Sequence, residues 1–213
     1  MTGNEFNFCP ICSKKNISYK DGKKWFCSDC GFDLYNNVAA AVGIIISDCE
    51  NNILLEKRAK NPRMGFLALP GGFCDADETA EAAAIRECRE ETGVIPQKIS
   101  YLCSFPNDYE YKNIAYKTCD LFFTAEIPEN AGTIEELIKK LHAQASEVTE
   151  FCSFKVTCEQ DIDKIPLAFN SAKKALTVWI YRNKIEYVCF WWRRFLNKTS
   201  AFLRQEANYH RFH

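Results

Sequence analysis

Gly72-Phe73-Cys74-Asp75-Ala76-Asp77-Glu78 leads, seven residues on, into Arg86-Glu87-Cys88-Arg89-Glu90-Glu91-Thr92-Gly93-Val94, and the reading of the whole chain turns on this stretch. Thr79 to Thr92 is alanine-rich with no internal Gly or Pro, which predicts a helix that stops at Gly93. On such a helix Glu87, Glu90 and Glu91 stand at i, i+3 and i+4, so they cluster on one face. Three like charges that close destabilise the helix unless something offsets them. Mg²⁺ or Mn²⁺ is suited to the task, being a hard cation that prefers carboxylate oxygens and keeps some of its waters. Arg86 and Arg89 add local positive charge, and Arg86 has the i, i+4 spacing that pairs with Glu90.

Just upstream, Leu67-Ala68-Leu69 runs into Pro70-Gly71-Gly72. Gly71 and Gly72 let the backbone pass close to the carboxylates without Cβ obstruction, leaving room for a substrate's phosphates. A phosphoanhydride is the bond such a site would hydrolyse. Cations neutralise the phosphate oxygens and lower the pKa of the attacking water, and a Glu accepts its proton. Outward from there, Val38 to Ser47 is an unbroken apolar run that predicts a buried strand, and Ile53 to Arg58 a second. Further strands are expected near 98–105, 114–126 and 150–156. Helices are expected over 133–143 and 170–182, the latter capped by Asn170 or Ser171. Mixed strands and helices over residues 36–183 make an α/β or α+β catalytic domain.

The first 35 residues form a unit of their own. Cys9-Pro10-Ile11-Cys12 and Cys27-Ser28-Asp29-Cys30 bracket a hairpin, 17–20 and 23–26, turning at Asp21-Gly22. The hairpin brings Cys9, Cys12, Cys27 and Cys30 to one end, where four thiolates can close a tetrahedron around Zn²⁺. The other eight of the twelve cysteines are scattered, mostly in apolar stretches, and read as buried reduced thiols. In 213 residues with 47% hydrophobic and 26% charged side chains there is material for a real core. The net charge of −1 gives no global pull toward nucleic acid or anionic membrane. No signal peptide or membrane-spanning run is read, so a cytoplasmic location is expected. His142, His210 and His213 are far from the glutamates in sequence, which argues against histidine-based catalysis.

The segment from Gly72 to Val94 matches the Nudix box, G-x₅-E-x₇-R-E-U-x-E-E-x-G-U, at every specified position, with Cys88 and Val94 as the apolar residues. The chain therefore resembles the Nudix hydrolases over roughly residues 38 to 183. The resemblance implies a mixed-sheet α/β/α sandwich that cleaves a pyrophosphate bond in a nucleoside-diphosphate derivative with Mg²⁺ or Mn²⁺. It makes Glu87 and Glu91 the principal ligands and Glu90 a further ligand or the base, while Glu78 and Arg86 organise the loop. Family members often add a later acidic ligand, here Glu147, with Glu150 second. A zinc ribbon ahead of such a domain is similar to the NADH pyrophosphatase branch. That branch carries a Ser-Gln-Pro-Trp-Pro-Phe-Pro-x-Ser signature after the box; this chain keeps Ser104-Phe105-Pro106 without the Gln-Pro-Trp core. The substrate is thus left open among NAD(H), ADP-ribose and other nucleotide-linked diphosphates.

Phe105, Tyr109, Tyr111 and Tyr116 are candidates to stack on a base, although aromatic residues in strands also serve as core. The competing function is a nucleic-acid or protein-binding module built on the ribbon with a degenerate catalytic domain, which the intact glutamates disfavour. NAD-cap removal from RNA joins the two readings, with Lys14, Lys15, Lys20, Lys23 and Lys24 available to phosphates. A free nucleotide ranks above RNA, because lysines on a small hairpin equally serve solubility. A homodimer is implied by the resemblance alone. Residues 184–213 carry six Lys or Arg against two Glu and four aromatic residues from Phe190 to Phe195, a basic amphipathic extension. Docking of this extension on its own domain or a second subunit is favoured over membrane contact.

Overall fold

The computed structural model describes residues 6–112, 114–128, 131–141 and 146–185. The N-terminal unit is a three-stranded antiparallel sheet of β1 (Ile17–Lys20), β2 (Lys24–Cys27) and β3 (Asp33–Tyr35). The hairpin closes through Asp21, Gly22 and Lys23, one residue more than the expected two-residue turn, with Asp21 and Gly22 at positive φ (53° and 66°) and Lys23 N donating to the Lys20 carbonyl at 2.9 Å. Trp25 is buried here, with the Phe6 and Tyr19 rings each 5.1 Å from its centroid.

The remaining strands form one mixed six-stranded sheet. It comprises β4 (Ala39–Ser47), β5 (Asn52–Arg58), β6 (Leu67–Ala68), β7 (Gln97–Tyr111), β8 (Ile114–Glu126) and β9 (Val148–Lys155). The order is β6-β5-β4-β8-β7, with β9 on the other edge of β5. β4 and β8 run parallel, Ala39 facing Thr118 through Ser47 facing Glu126, and the other pairs are antiparallel. A central strand buried on both faces must be apolar throughout, which explains why β4 reads as a continuous Val/Ile run.

Helices cover both faces. On one, α1 (Ala80–Thr92) and α2 (Ile134–Ile138) pack Ala83, Ala84, Cys88, Ile134 and Leu137 against Ile44, Ile46, Leu54 and Phe123. On the other, α3 (Glu159–Asp163) and α4 (170–185) pack Ile162, Ala175, Leu176 and Trp179 against Ile45, Ile53, Leu55 and Phe122. The result is the expected α/β/α sandwich with a mixed sheet. Three details differ from the sequence reading. β7 extends past Pro106 to Tyr111, tolerated because β7 is an edge strand, where a missing N–H can face outward. α2 ends at Ile138, short of the expected 143, and residues 142–143 lie outside the described residues. The five-residue α3 was not anticipated. The expected extension over 184–213 lies outside the described residues from 186 onward. No described helix is long and apolar enough to cross a membrane.

Candidate active site

Helix α1 is fixed at both ends. Thr79 caps it, its hydroxyl accepting from Ala82 N at 3.2 Å, and Gly93 ends it at φ 75° with its N–H donating to the Arg89 carbonyl. With its alanine face on the sheet, α1 turns Glu87 and Glu91 toward a cleft of about 660 Å³, one helical turn apart. Across from them Pro70-Gly71-Gly72 runs antiparallel to β4, with Val42 N donating to Gly72 O (2.8 Å) and Ile44 N to Pro70 O (2.9 Å). Gly71 lies at φ 148°, and a Cβ there would sit 2.1 Å from the Val42 carbonyl oxygen; a Cβ on Gly72 would sit 2.6 Å from a Glu87 oxygen. No side chain fits at either position without moving backbone or carboxylate. The same proximity lets Gly71 N donate to Glu91 Oε2 at 2.8 Å.

Arg86 ties the loop to the helix. Its guanidinium donates to Glu78 (2.9 Å), Glu87 (2.8 Å), the Phe73 carbonyl (3.0 Å) and Glu90 (3.3 Å). The pairing with Glu90 expected from spacing is present. Glu90 itself is exposed and does not line the cleft. Glu147 lines the cleft and pairs with Lys60 at 3.2 Å, whereas Glu150 pairs with Lys57 outside it.

A buried acid that the sequence reading did not single out joins Glu87 and Glu91. Glu56, on β5, is 3% exposed and lines the same cleft. Its Oε2 has no hydrogen-bond partner among the described residues. Burial and the neighbouring Glu91 push the Glu56 carboxyl well above the usual range. Burial, opposed by the Gly71 N–H and aided by the Glu87 charge, pushes Glu91 up to about 8. Burial also raises Glu87 against the pull of Arg86, while Arg86 holds Glu78 below the usual range. Carboxylates crowded in a desolvated wall, one with a bare oxygen, fit a hard divalent cation that would restore their charged forms.

A pH dependence follows for the protein without a cation in the cleft. Glu91 keeps its proton to about pH 8 when folded, against 4.5 in its unperturbed state, so folding takes up a proton between those values. The stability it contributes is fully present below about pH 4.5 and is lost as pH rises through 8. The slope is up to about 1.4 kcal/mol per pH unit for each proton taken up, with Glu56 and Glu87 acting in the same direction. Urea midpoints measured between pH 5.5 and 8.5 should therefore fall without a divalent cation and flatten with Mg²⁺ present. A midpoint that rises with pH in the cation-free protein would contradict this electrostatic assignment.

The far end of the cleft is aromatic. Tyr109 meets Phe73 edge-on at 5.3 Å and Phe169 at 5.8 Å, Tyr116 lies 6.2 Å from Phe73, and Arg58 sits 5.2 Å over the Phe169 ring. Its floor holds Asp120, which accepts from Thr118 Oγ1 and Ser171 Oγ, each at 2.6 Å. Of the expected base-stacking residues, Tyr109 and Tyr116 are here. Phe105 is not, being packed against the α4 side of the core with Lys174 over its ring. The Tyr111 side chain lies outside the described residues. Phe169 and Asp120, brought in from α4's approach and β8, carried no motif that sequence reasoning could use.

In the ribbon, Cys9 Sγ lies 3.6 Å from Cys30 Sγ and Cys12 Sγ 3.7 Å from Cys27 Sγ. All four sulfurs lie within 4.8 Å of one another, the one such group of metal-binding donors among the described residues. A tetrahedron with metal–sulfur distances of about 2.3 Å has edges of about 3.8 Å. The cluster is thus compatible with structural zinc, and its separations are far beyond a disulfide's.

A family model described as NUDIX domain matches residues 38–166. An ADP-ribose pyrophosphatase from Methanocaldococcus jannaschii is 50% identical over 91 residues, covering 42% of this chain and 48% of the relative. An NAD-capped RNA hydrolase NudC from Deinococcus radiodurans is 28% identical over 181 residues, covering 79% of this chain and 55% of the relative. The chain spans about half the length of these curated relatives. Among solved structures, a NUDIX hydrolase from Nitrosomonas europaea is similar with a TM-score of 0.55 at 25% identity, covering 82% of this chain and 90% of that one.

Proposed function

Starting from the premise that this chain belongs to the NUDIX family, we propose that it hydrolyses the pyrophosphate bond of a nucleoside-diphosphate derivative, the diphosphate lying along Glu87 and Glu91 and the base against the aromatic end. The observation that carries this reading is the placement of those two glutamates on the wall of a cleft whose other end is built of Phe73, Tyr109, Tyr116 and Phe169. Glu87 and Glu91 would hold Mg²⁺ or Mn²⁺, with Glu147 as the downstream carboxylate. When bound, the cation supplies positive charge for the diphosphate oxygens and acidifies water.

The chain's own residues do the positioning. Gly71 and Gly72 admit the diphosphate close to backbone, and the Gly71 N–H aims the Glu91 carboxylate. Arg86, locked by Glu78, keeps Glu87 oriented. Arg58, beside Phe169 at the cleft wall, offers a cation to the diphosphate or the stacked ring. Glu90, outside the cleft lining, is given a supporting contact to Arg86 and no part in the chemistry.

The ribbon gives an RNA end less support. Lys24 is committed to Asp33 at 2.7 Å and Lys14 approaches Asp29 at 3.8 Å, leaving fewer of the five lysines for phosphates. A free nucleotide is therefore the preferred substrate. Incubation with Mg²⁺ or Mn²⁺ and NADH, NAD, ADP-ribose, diadenosine polyphosphates and nucleotide sugars, with products identified by mass, tests the reading. Cleavage between the two phosphorus atoms is expected, and no cleavage of any of these would overturn it. Because Phe105 of the residual Ser104-Phe105-Pro106 is turned into the core, NADH should not exceed ADP-ribose by a large factor. A kcat/KM ratio above about a hundredfold in favour of NADH, about 2.7 kcal/mol of transition-state discrimination, would contradict that expectation.

A further inference from the structure

We propose that Glu56 is a further carboxylate of the cation site, its Oε2, which has no hydrogen-bond partner among the described residues, binding a divalent cation held in the cleft that Glu87 and Glu91 also line. The inference rests on the reading above that the cleft holds such a cation. Strand β5 runs Ile53-Leu54-Leu55-Glu56, and alternate residues share a face of the sheet. Leu54 packs into the cluster beneath α1, so Glu56 projects on that same face, where Glu91 descends from the helix. Ile53 and Leu55 point the other way, into the α4 cluster. An apolar residue in the place of Glu56 would complete the layer begun by Leu54. A carboxyl there, 3% exposed with one oxygen lacking a hydrogen-bond partner among the described residues, is costly unless a ligand supplies the missing partner.

The nearby positive charges do not fill that role. Arg86 is engaged with Glu78, Glu87, Glu90 and the Phe73 carbonyl. Lys60 is paired with Glu147. Arg58 directs its Nε to the Pro62 carbonyl at 3.0 Å and lies over the Phe169 ring. Glu56, Glu87 and Glu91 thus line one cleft, and the Glu56 Oε2 is left without a hydrogen-bond partner among the described residues. Oxygen ligands from both the strand and the helix would fix a cation against the sheet rather than on the rim.

Mn²⁺ binding, followed by electron paramagnetic resonance of the free ion and by the Mn²⁺-induced rise in melting temperature, tests the assignment on the full chain with the ribbon's metal left in place. Glu56→Gln keeps the shape and the hydrogen-bonding capacity and removes the charge, so a purely structural role would survive it. The expected result is a tenfold or greater loss of Mn²⁺ affinity and a smaller Mn²⁺-induced rise, with the cation-free melting temperature level or higher. Glu126→Gln, an exposed partner of Lys98, should bind Mn²⁺ as the wild type does. Wild-type affinity in Glu56→Gln, or an equal loss in Glu126→Gln, would overturn the proposal. If Glu91→Gln weakens binding and Glu56→Gln does not, only the role of Glu56 falls. If the wild type binds no Mn²⁺, the cation reading of the cleft falls with it. Should Glu56→Gln not fold, Glu56→Asp decides, since its shorter arm withdraws the carboxylate and should cost threefold or more; unchanged binding would again overturn the assignment.

Discussion

Glu91→Gln should cut turnover by at least ~10²-fold while leaving the cation-free melting temperature level or raised. The substituted amide retains an oxygen for the Gly71 N–H, which donates to Glu91 Oε2 at 2.8 Å, so the loop keeps its anchor. It removes a group that is 4% exposed and whose proton is held up to about pH 8 by burial, so near neutral pH without a cation little charge is lost. The folded state therefore has no reason to weaken. In the site as proposed, loaded with cation and diphosphate, the carboxylate would be ionised and its charge would balance the cation. A hundredfold loss is about 2.7 kcal/mol of barrier, the scale expected of one electrostatic group in a desolvated site. Glu87→Gln should behave likewise in turnover, although it also gives up the 2.8 Å contact with Arg86 and so carries some cost in the loop. Steady-state rates with saturating Mg²⁺, measured beside melting curves in its absence, separate the two effects. Near-full activity in both variants would sink the cation-site assignment and the enzymatic reading with it.

What sequence could and could not deliver here has a physical pattern. Thr79 and Gly93 were legible as the ends of α1 because capping is local chemistry, and the i, i+4 spacing of Glu87 and Glu91 already places them on one helix face. The Asp21-Gly22 turn and the two cysteine pairs were legible for the same reason. Glu56 was not. In Ile-Leu-Leu-Glu-Lys-Arg an acid followed by two bases looks like the polar end of a strand, and only the register of β5 against β6 and β9 buries it. The aromatic wall was legible in part: Tyr109 and Tyr116 stood among the stacking candidates, whereas Phe169, which meets Tyr109 from some sixty residues on, did not. Phe105 shows the reverse failure: alternation along β7 separates it from Tyr109 by an even number of residues, yet packing against the core claims one and the cleft the other. The short α3 escaped because five residues, Glu-Gln-Asp-Ile-Asp, are too few to show a period.

Removing one thiolate from the ribbon should have the largest effect on stability anywhere in the chain. The N-terminal sheet has three short strands with one large buried aromatic, Trp25, which is too little apolar burial to offset the entropy of ordering the unit. A structural zinc bound by Cys9, Cys12, Cys27 and Cys30 would contribute on the order of 10 kcal/mol, which is more than the unit's own packing can supply. Cys27→Ser removes a buried ligand that sits where β2 ends and whose carbonyl accepts from Gly31 N at 3.0 Å, so metal loss should release the β2–β3 connection as well. Native protein is expected to carry about one Zn²⁺ per chain, released slowly by EDTA. In the variant that zinc should be absent, and amide exchange across 17–35 should become fast while the amides of α1 and β4 stay protected. The sheet of β4 to β9 has its own core on both faces and shares no strand with the ribbon, so its melting should change little. A metal-free native preparation with all four thiols freely titratable would refute the zinc assignment. Loss of protection across β4 along with the ribbon would show instead that the six-stranded sheet depends on its small neighbour.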